Sequence, residues 1–320
     1  MAVDALTQHA CAISLILGID RLPSVADTLG HCMYVKRSLA FVAAGGLALT
    51  LVACGSSSGS SPSGSASFKD CKVTSKKNSI SIKPVTAGRL TVETTLPAQG
   101  WWNGTTPSSI KSGYEYCMAA ELANMAGLKS VTVKNVSFNQ LVAGRTNSFD
   151  LALAEISITS ERAKVVDFST PYFDSNIGVL ARKGTGVTQD NIKSKTCAAY
   201  TGTTSVPFIQ DKLKCKVKIY PNSQTLYQGL LSGQVDADFL DTAIVLAEAK
   251  STGGKVEVVG QYKTGEKYGA IYPKGSTNEK AFDQGIQTMI KDGTTDQLSK
   301  DYLGPAFGGD PSSVPIWTIK

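Results

Sequence analysis

The sequence predicts an α/β protein of two lobes, each a mostly parallel sheet flanked by helices. About 250 residues have globular composition, which is enough for two such lobes. Short apolar segments alternate with segments of helical periodicity, a pattern typical of parallel strands connected by helices. Expected strands lie at 90–94, 131–136, 149–154 and 196–200, and expected helices begin at 113 and 138 or span 226–233, 242–249, 278–291 and 295–302.

The chain begins with an export pattern. Residues 1–32 show no periodicity, and Met33 is a better start, because Lys36 and Arg37 precede an uncharged apolar stretch at 39–51. That stretch has the length of a signal peptide and is too short to span a bilayer comfortably.

The apolar stretch ends in Leu-Val-Ala-Cys, where Cys54 resembles the lipidated cysteine of a lipoprotein signal. We expect residues 1–32 to be a mis-assigned start, 33–53 a lipoprotein signal peptide and 54–69 a flexible Gly/Ser tether. The lipid would hold the protein at the outer face of the cell membrane. The alternative is a plain transmembrane anchor with a chance cysteine.

Composition excludes several classes of function. Removal of residues 1–53 takes three basic and three acidic residues, so the net charge stays at +6, without the basic run that nucleic-acid binding needs. Both histidines, His9 and His31, lie in that leader. Ser-His-Asp and Cys-His catalysis and most zinc sites are therefore excluded, and we expect no metal and no cofactor.

The most informative segment is 149–173. A buried strand at 149–154 is followed by hydroxyls, including that of Ser157, and then by Arg162 in a short helical turn. Such a strand end suits a carboxylate, because the guanidinium offers a planar fork of donors. The alternative is a structural ion pair of Arg162 with a nearby acid, namely Asp150, Glu161 or Asp167.

This segment resembles the core motif of the extracellular solute-binding proteins of family 3, the polar amino acid receptors of ABC importers. The matching residues are Asp150, Ser157-Ile158-Thr159, Glu161-Arg162, Lys164, Asp167-Phe168-Ser169 and Pro171-Tyr172. The resemblance covers residues 90–304. It implies a two-lobed periplasmic-binding-protein-like type II fold with a two-strand hinge, and a monomer.

The resemblance also places the lobes. The chain should cross at 174–177 and return at 267–270, so that lobe 1 comprises 70–175 and 270–320 and lobe 2 comprises 176–269. Mature cysteines other than Cys54 allow three pairings. We favour Cys71–Cys117 and Cys197–Cys215, because each disulfide then lies within one lobe and leaves motion between lobes free.

Lobe 2 is expected to supply the rest of the site. Thr203 and Thr204 follow the strand at 196–200 and match the turn that holds the ligand's α-carboxylate in the family, although Thr is also an ordinary N-cap. Asp241 matches the carboxylate that receives the α-ammonium, and it could equally cap the helix at 242–249. Together with Arg162 and Ser157, these residues would clamp a free amino acid.

The walls of the pocket are less determined. Trp101, Trp102 and Phe138 are candidates, and any of them could lie in the core, Trp102 above all. Glu155 stands where the family usually has Gly or Ser, and its charge would favour a cationic or amide side chain. The alternative is that Glu155 points away or pairs with Arg162 or a lysine.

Three functions remain from the sequence. The first is a lipoprotein receptor for an amino-acid ABC importer, with an ABC permease as its membrane partner. The second is an extracellular sensor for a membrane signalling partner, which would use the same pocket. The third is a dehydratase-like enzyme on this fold, and Glu155 is the residue that leaves this alternative possible. Of the three, we favour the receptor, and we therefore expect no enzyme activity.

Overall fold

The computed structural model describes residues 67–319. Cys54, the expected mis-assigned start, the expected signal peptide and most of the expected tether lie outside the described residues. The strands are β1 Arg89–Thr94, β2 Ser130–Asn135, β3 Leu151–Ala152, β4 Val166–Phe168, β5 Phe173–Arg182, β6 Thr196–Tyr200, β7 Lys216–Tyr220, β8 Ala237–Asp241, β9 Val256–Tyr268, β10 Ile271–Pro273 and β11 Ile316–Trp317.

The α-helices are α1 Tyr114–Met125, α2 Phe138–Val142, α3 Ser205–Pro207, α4 Ser223–Leu231, α5 Thr242–Ser251, α6 Glu279–Lys291, α7 Thr294–Leu298 and α8 Gly304–Phe307. Two π-helical segments, Phe208–Leu213 and Ser299–Leu303, continue α3 and α7. Within residues 67–319, no helix has both the length and the apolar character that a membrane crossing requires.

Lobe 1 contains a five-stranded sheet in the order β2-β1-β3-β10-β4. β1 pairs in parallel with β2 and β3, and β10 runs antiparallel to β3 and β4. Nearly every residue of α1 is buried, because this helix packs against β1 and β2 on one side and α6 and α7 on the other. Gly285 of α6 permits that approach, since a Cβ there would lie 2.6 Å from Leu122 of α1.

Lobe 2 contains a six-stranded sheet in the order β11-β9-β5-β8-β6-β7. β6 pairs in parallel with β7 and β8, whereas β5 runs antiparallel to β8 and β9. Parallel pairing thus dominates only one part of each sheet. In lobe 2 the antiparallel pairs are those of β5, one of the strands that connect the lobes, and in lobe 1 they are those of β10, which follows the connecting strand β9.

The connection between the lobes is the antiparallel pair of β5 and β9. Its register runs from Phe173 opposite Tyr268 to Arg182 opposite Val256, with an irregularity between Ser175 and Ile177. β5 follows the lobe 1 strand β4, and β9 leads back to the lobe 1 strand β10. This arrangement agrees with the two-strand connection expected at 174–177 and 267–270.

Two sequence-based expectations differ from the structure. The strand expected at 149–154 shrinks to Leu151–Ala152, because the chain turns at once to build the cleft. Residues 270–320 were assigned to lobe 1, yet Ile316 and Trp317 pair with β9 in the lobe 2 sheet. There Trp317 packs edge-on against Tyr262, and no local pattern signals such a return.

The cysteines pair as favoured from the sequence. Cys71 bonds to Cys117 across 46 positions in lobe 1, and Cys197 bonds to Cys215 across 18 positions in lobe 2. Neither disulfide ties one lobe to the other.

Candidate ligand-binding site

The lobe 1 side of the cleft is the segment that follows β3. Its backbone is attached to the end of β9, since Ile158 N–H donates to Lys267 O at 2.8 Å and Gly269 N–H donates to Ile156 O at 3.0 Å. Ser157 lies between these bonds and is buried. The first predicted donor is therefore held where the two lobes are connected.

Arg162 begins a short 3-10 helix and is only 7% exposed. Its Nη1 donates to Ser157 O at 2.6 Å, and its Nη2 donates to Gly202 O of lobe 2 at 2.9 Å. The guanidinium carbon lies 5.4 Å from the centre of the Phe138 ring. Arg162 therefore contacts both lobes from the floor of the cleft.

The alternative partners of Arg162 are engaged elsewhere. The Asp150 carboxylate accepts backbone N–H groups of lobe 1, Glu161 pairs with Lys164 and Asp167 pairs with Lys274. Within the described residues, none of these three acids forms an ion pair with Arg162. The guanidinium thus keeps its charge for the cleft, where burial lowers its pKa while Asp241 and Glu266 oppose that effect.

The two predicted threonines have different roles. Thr203 Oγ1 donates to Tyr200 O at 2.8 Å and so stabilises its own turn. Thr204 precedes α3 without capping it, and its Oγ1 donates across to Glu266 Oε2 at 2.8 Å. Ser157 Oγ donates to the same carboxylate oxygen. Glu266 therefore receives a hydroxyl from each lobe, a role that the sequence did not predict.

Asp241 ends β8 and immediately precedes α5. Its side chain makes no cap bond to that helix and instead accepts Ser175 Oγ at 3.0 Å. Burial, followed by the charge of Glu266, raises the pKa of Asp241 to about 7, while hydrogen bonds from Tyr268 and Ser175 and the charge of Arg162 oppose the rise. The carboxyl faces the connection between lobes rather than the helix.

Glu155 adopts φ +48°, in the left-handed region that favours glycine. Its N–H donates to Glu115 Oε1 at 2.9 Å, and Glu115 also accepts Trp102 Nε1 at 2.8 Å and the Tyr172 hydroxyl. Glu115 is thus a carboxylate with three donors. Burial and then the charge of Glu115 raise the pKa of Glu155 well above its ordinary value.

A cavity of about 390 Å³ lies between the lobes. Glu155, Trp101 and Phe138 line it from lobe 1, and Tyr200 and Glu248 line it from lobe 2. No Lys, Arg or His is among its described lining residues, and Glu155 Oε1 is buried without a hydrogen-bond partner in residues 67–319. The cavity therefore carries the carboxyl groups of Glu155 and Glu248, and Arg162 is not among its described lining residues.

The aromatic candidates divide between wall and core. Phe138 lines the cavity, and its ring contacts both Arg162 and Tyr200. The ring centres of Phe138 and Tyr200 are 5.7 Å apart. Trp101 lines the cavity, but its side chain is almost completely buried among aromatic rings, including that of Tyr268. Trp102 is fully buried and bonded to Glu115, so it belongs to the core.

The structure groups Arg162, Ser157, Thr204 and Asp241 around Glu266, where the two lobes meet. Thr203 bonds within its own turn. Sequence reasoning missed Glu115 and Glu266. An acid in the first turn of a helix such as α1 is ordinarily explained by the helix dipole. Glu266 lies near the end of β9, among alternating polar residues that are typical of an exposed strand and do not indicate a site.

The fold consists of two α/β lobes joined by adjacent strands, and hydroxyls, a guanidinium and a carboxyl are grouped where the lobes meet. This arrangement is that of a two-lobed binding protein. Residues 104–305 match the model for the bacterial extracellular solute-binding proteins, family 3. This match spans more than half of the chain, and the chain belongs to that family.

Two curated relatives illustrate the range of similarity. The L-cystine-binding protein TcyJ of Escherichia coli (strain K12) is 30% identical over 199 residues, 60% of this chain and 74% of that protein. The ABC transporter glutamine-binding protein GlnH of Bacillus subtilis (strain 168) is 28% identical over 263 residues, 80% of this chain and 92% of that protein.

Two solved structures show the same fold. An ancestral arginine-binding protein bound to arginine has a TM-score of 0.61 and 29% identity, covering 67% of this chain and 98% of its own. The ancestral amino acid-binding protein AncCDT-1, a precursor of cyclohexadienyl dehydratase, has a TM-score of 0.58 and 27% identity, covering 68% and 95%.

Proposed function

We propose that the chain is the lipid-anchored extracellular receptor of an ABC importer and binds a free polar amino acid by closing its lobes. The observation that carries this proposal is the grouping of Arg162, Ser157, Thr204 and Asp241 around Glu266, where the two lobes meet. A zwitterion needs donors for its carboxylate and an acceptor for its ammonium, and these four residues supply both.

In the proposed complex, Arg162, Ser157 and Thr204 take the α-carboxylate and Asp241 takes the α-ammonium. Charges enclosed between lobes interact more strongly than charges in bulk water, because the local dielectric is lower. Since lobe 2 supplies Thr204 and Asp241, the full set of contacts forms only in the closed state. Ligand binding and closure are therefore coupled through differential affinity for that state.

We extend the proposal to a ligand with a cationic or amide side chain. The cavity beside the clamp carries Glu155 and Glu248 and no basic lining residue, and Glu155 Oε1 has no partner among the described residues. A guanidinium, ammonium or amide would donate to that oxygen. Hydrophobic walls at Phe138 and Trp101 would hold the methylene chain of such a ligand.

Binding is tested by a thermal-shift screen of the purified, ligand-free chain with L-arginine, L-lysine, L-ornithine, L-glutamine, L-citrulline, L-cystine, L-glutamate and L-leucine. A ligand at a hundredfold over its dissociation constant adds about 2.7 kcal/mol to stability, which raises the melting temperature visibly. Shifts confined to cationic and amide ligands support the whole proposal. Absence of any shift would reject amino-acid binding.

The lipid anchor is tested on Cys54, which lies outside the described residues. Mass spectrometry of the membrane-bound protein should find Cys54 lipidated at the mature N-terminus and no peptide from residues 1–32. Cys54→Ala should release the protein from the membrane, whereas Cys197→Ala should leave it attached. Recovery of Cys54→Ala in the membrane fraction would favour a transmembrane anchor.

A dehydratase-like enzyme is the second candidate, and Glu155 is the observation that favours it. A buried carboxyl with a raised pKa is suited to donate a proton to a leaving hydroxyl. The similarity to a precursor of cyclohexadienyl dehydratase gives the substrate class to try. Formation of an aromatic product from a cyclohexadienyl amino-acid precursor, abolished by Glu155→Gln, would replace the receptor proposal.

A further inference from the structure

The hydroxyls expected to hold a ligand's α-carboxylate already hold a carboxylate of the chain itself. Ser157 Oγ of lobe 1 and Thr204 Oγ1 of lobe 2 both donate to Glu266 Oε2, and the second distance is 2.8 Å. Glu266 lies near the end of β9, the strand that connects the lobes. Its charge also acts on Arg162 and Asp241, which completes the set of clamp residues.

We propose that Glu266 is an internal occupant of the α-carboxylate site, which an amino acid must displace in order to bind. This inference rests on the proposed function, because it defines the displaced position by the α-carboxylate of an amino acid. It adds a competitor inside the chain, and it makes Glu266 a determinant of affinity although Glu266 need not touch the bound ligand.

The number of hydroxyl hydrogens available for hydrogen bonding requires that a ligand displace Glu266 before it can bind Ser157 and Thr204. A serine or threonine hydroxyl has one hydrogen to donate. The hydrogens of Ser157 and Thr204 are both directed at Glu266, so neither remains for a ligand carboxylate while Glu266 stays in place. Arg162 Nη1 and Nη2 each donate one N–H to a backbone carbonyl, so the guanidinium keeps further N–H donors for a ligand, whereas the two hydroxyls have none left.

Charge leads to the same result. Arg162 is the basic group that acts on Asp241, whereas Glu266 and Asp241 both carry negative charge when ionised. In the proposed complex the ligand's ammonium pairs with Asp241, so a ligand carboxylate beside an unmoved Glu266 would place two carboxylates next to one guanidinium. Two neighbouring carboxylates in a buried site repel each other, so the Glu266 side chain has to leave as the ligand enters.

The backbone around Glu266 has room for such a movement. Ser175 pairs with Glu266 and Ile177 pairs with Tyr262, so residues 263–265 have no partner in the β5 ladder. Gly265 within this bulge has φ +69°, and a Cβ there would meet no atom within 4 Å. A bulge interrupts the ladder hydrogen bonds, which leaves the adjoining side chain free to turn outward.

The first test uses the full chain without ligand. Hydrogen–deuterium exchange should quicken at residues 156–158 and 202–206 in Glu266→Ala, because the bridge between Ser157 and Thr204 is lost. Glu266→Gln retains an acceptor of the same shape and should show a smaller effect. Glu257→Ala, on the exposed part of the same strand, is the matched control. Unchanged exchange in both Glu266 variants would overturn the internal bridge.

The second test measures affinity for L-arginine and L-glutamine by calorimetry. Removal of a charge-assisted competitor should tighten binding by about tenfold in Glu266→Ala, with Glu257→Ala equal to wild type. Weaker or unchanged binding would overturn the proposal, and weaker binding would assign Glu266 to the ligand's ammonium. If wild type binds no amino acid, the proposed function fails, and the exchange experiment alone decides the bridge.

Discussion

The two ends of the cleft are built on opposite principles. At the end that contains Arg162, every polar group named above has a partner, and Glu266 supplies the carboxylate that the hydroxyls require. At the other end, Glu155 carries a carboxyl oxygen that is buried without a partner in residues 67–319. A ligand would replace an existing partner at the first end and provide a missing one at the second.

The difference separates affinity for amino acids in general from discrimination among them. When a ligand displaces Glu266, one carboxylate replaces another on the same hydroxyls, so the net gain in binding free energy is small. Satisfaction of the unpartnered carboxyl oxygen Glu155 Oε1 yields more, because an unmet buried polar group costs about 1–3 kcal/mol. Side chains that donate to Glu155 should therefore gain the most from this cleft.

The largest expected effect comes from Arg162→Ala, which removes the guanidinium at the end of the cleft where we propose that the α-carboxylate binds. The affinity for L-arginine and L-glutamine should fall by about a hundredfold or more, since loss of one partner of a buried charge pair costs about 2–5 kcal/mol. Calorimetry on Arg162→Ala and on the exposed control Arg89→Ala would measure this. Near-wild-type binding by Arg162→Ala would place the carboxylate elsewhere.

Asp241→Asn should weaken binding by about thirtyfold at pH 8, because an ammonium donates more strongly to a carboxylate than to an amide. Asp211→Asn, an exposed substitution in the same lobe, should have no effect. Equal dissociation constants for the two variants would show that the ammonium binds another group.

The same variant tests the effect of pH. The pKa of Asp241 in the folded chain, about 7, lies above its ordinary value of 3.8. This group therefore stabilises the empty chain fully below pH 4, and that contribution is lost as the pH rises to about 7. Affinity should rise between pH 5 and 8 in wild type and rise less in Asp241→Asn, as titration calorimetry at several pH values would show.

Glu155→Gly acts on the other end of the cleft. It should lower the affinity for L-arginine by about tenfold, through loss of one charge-assisted hydrogen bond, and leave L-leucine unaffected. The melting temperature of the empty chain should rise, because glycine accepts φ +48° and removes both the buried carboxyl oxygen without a partner and the charge of Glu155 beside Glu115. An unchanged ranking of ligands would end the role of Glu155 in selectivity.

The smallest expected effect is that of Glu248→Gln. Glu248 is half-buried at the lobe 2 wall, so its attraction for a cationic side chain is partly screened by solvent. We expect a loss of about threefold for L-arginine and none for L-glutamine, with Glu257→Gln as the control. Identical losses for both ligands would indicate a change of lobe packing instead.

Patterns within the sequence determined much of this protein. The alternation of apolar segments predicted the two α/β lobes, and β1, α1 and α5 begin within a residue of their expected positions. The motif around Arg162 predicted the guanidinium and Ser157, and two separate lobe 2 segments predicted Thr204 and Asp241; their role as one ligand site stays a prediction. These features were readable because local hydrogen bonding and side-chain periodicity act over a few residues.

Only the tertiary structure decided what these residues contact. Glu266 lies 109 positions from Ser157, and Glu115 lies 40 positions from Glu155. β11 likewise pairs with β9 in the lobe 2 sheet, although the sequence analysis expects residues 270–320 in lobe 1. Such pairings depend on which buried groups need a donor or an acceptor once the lobes have packed. That requirement arises from burial, which no local stretch of sequence contains.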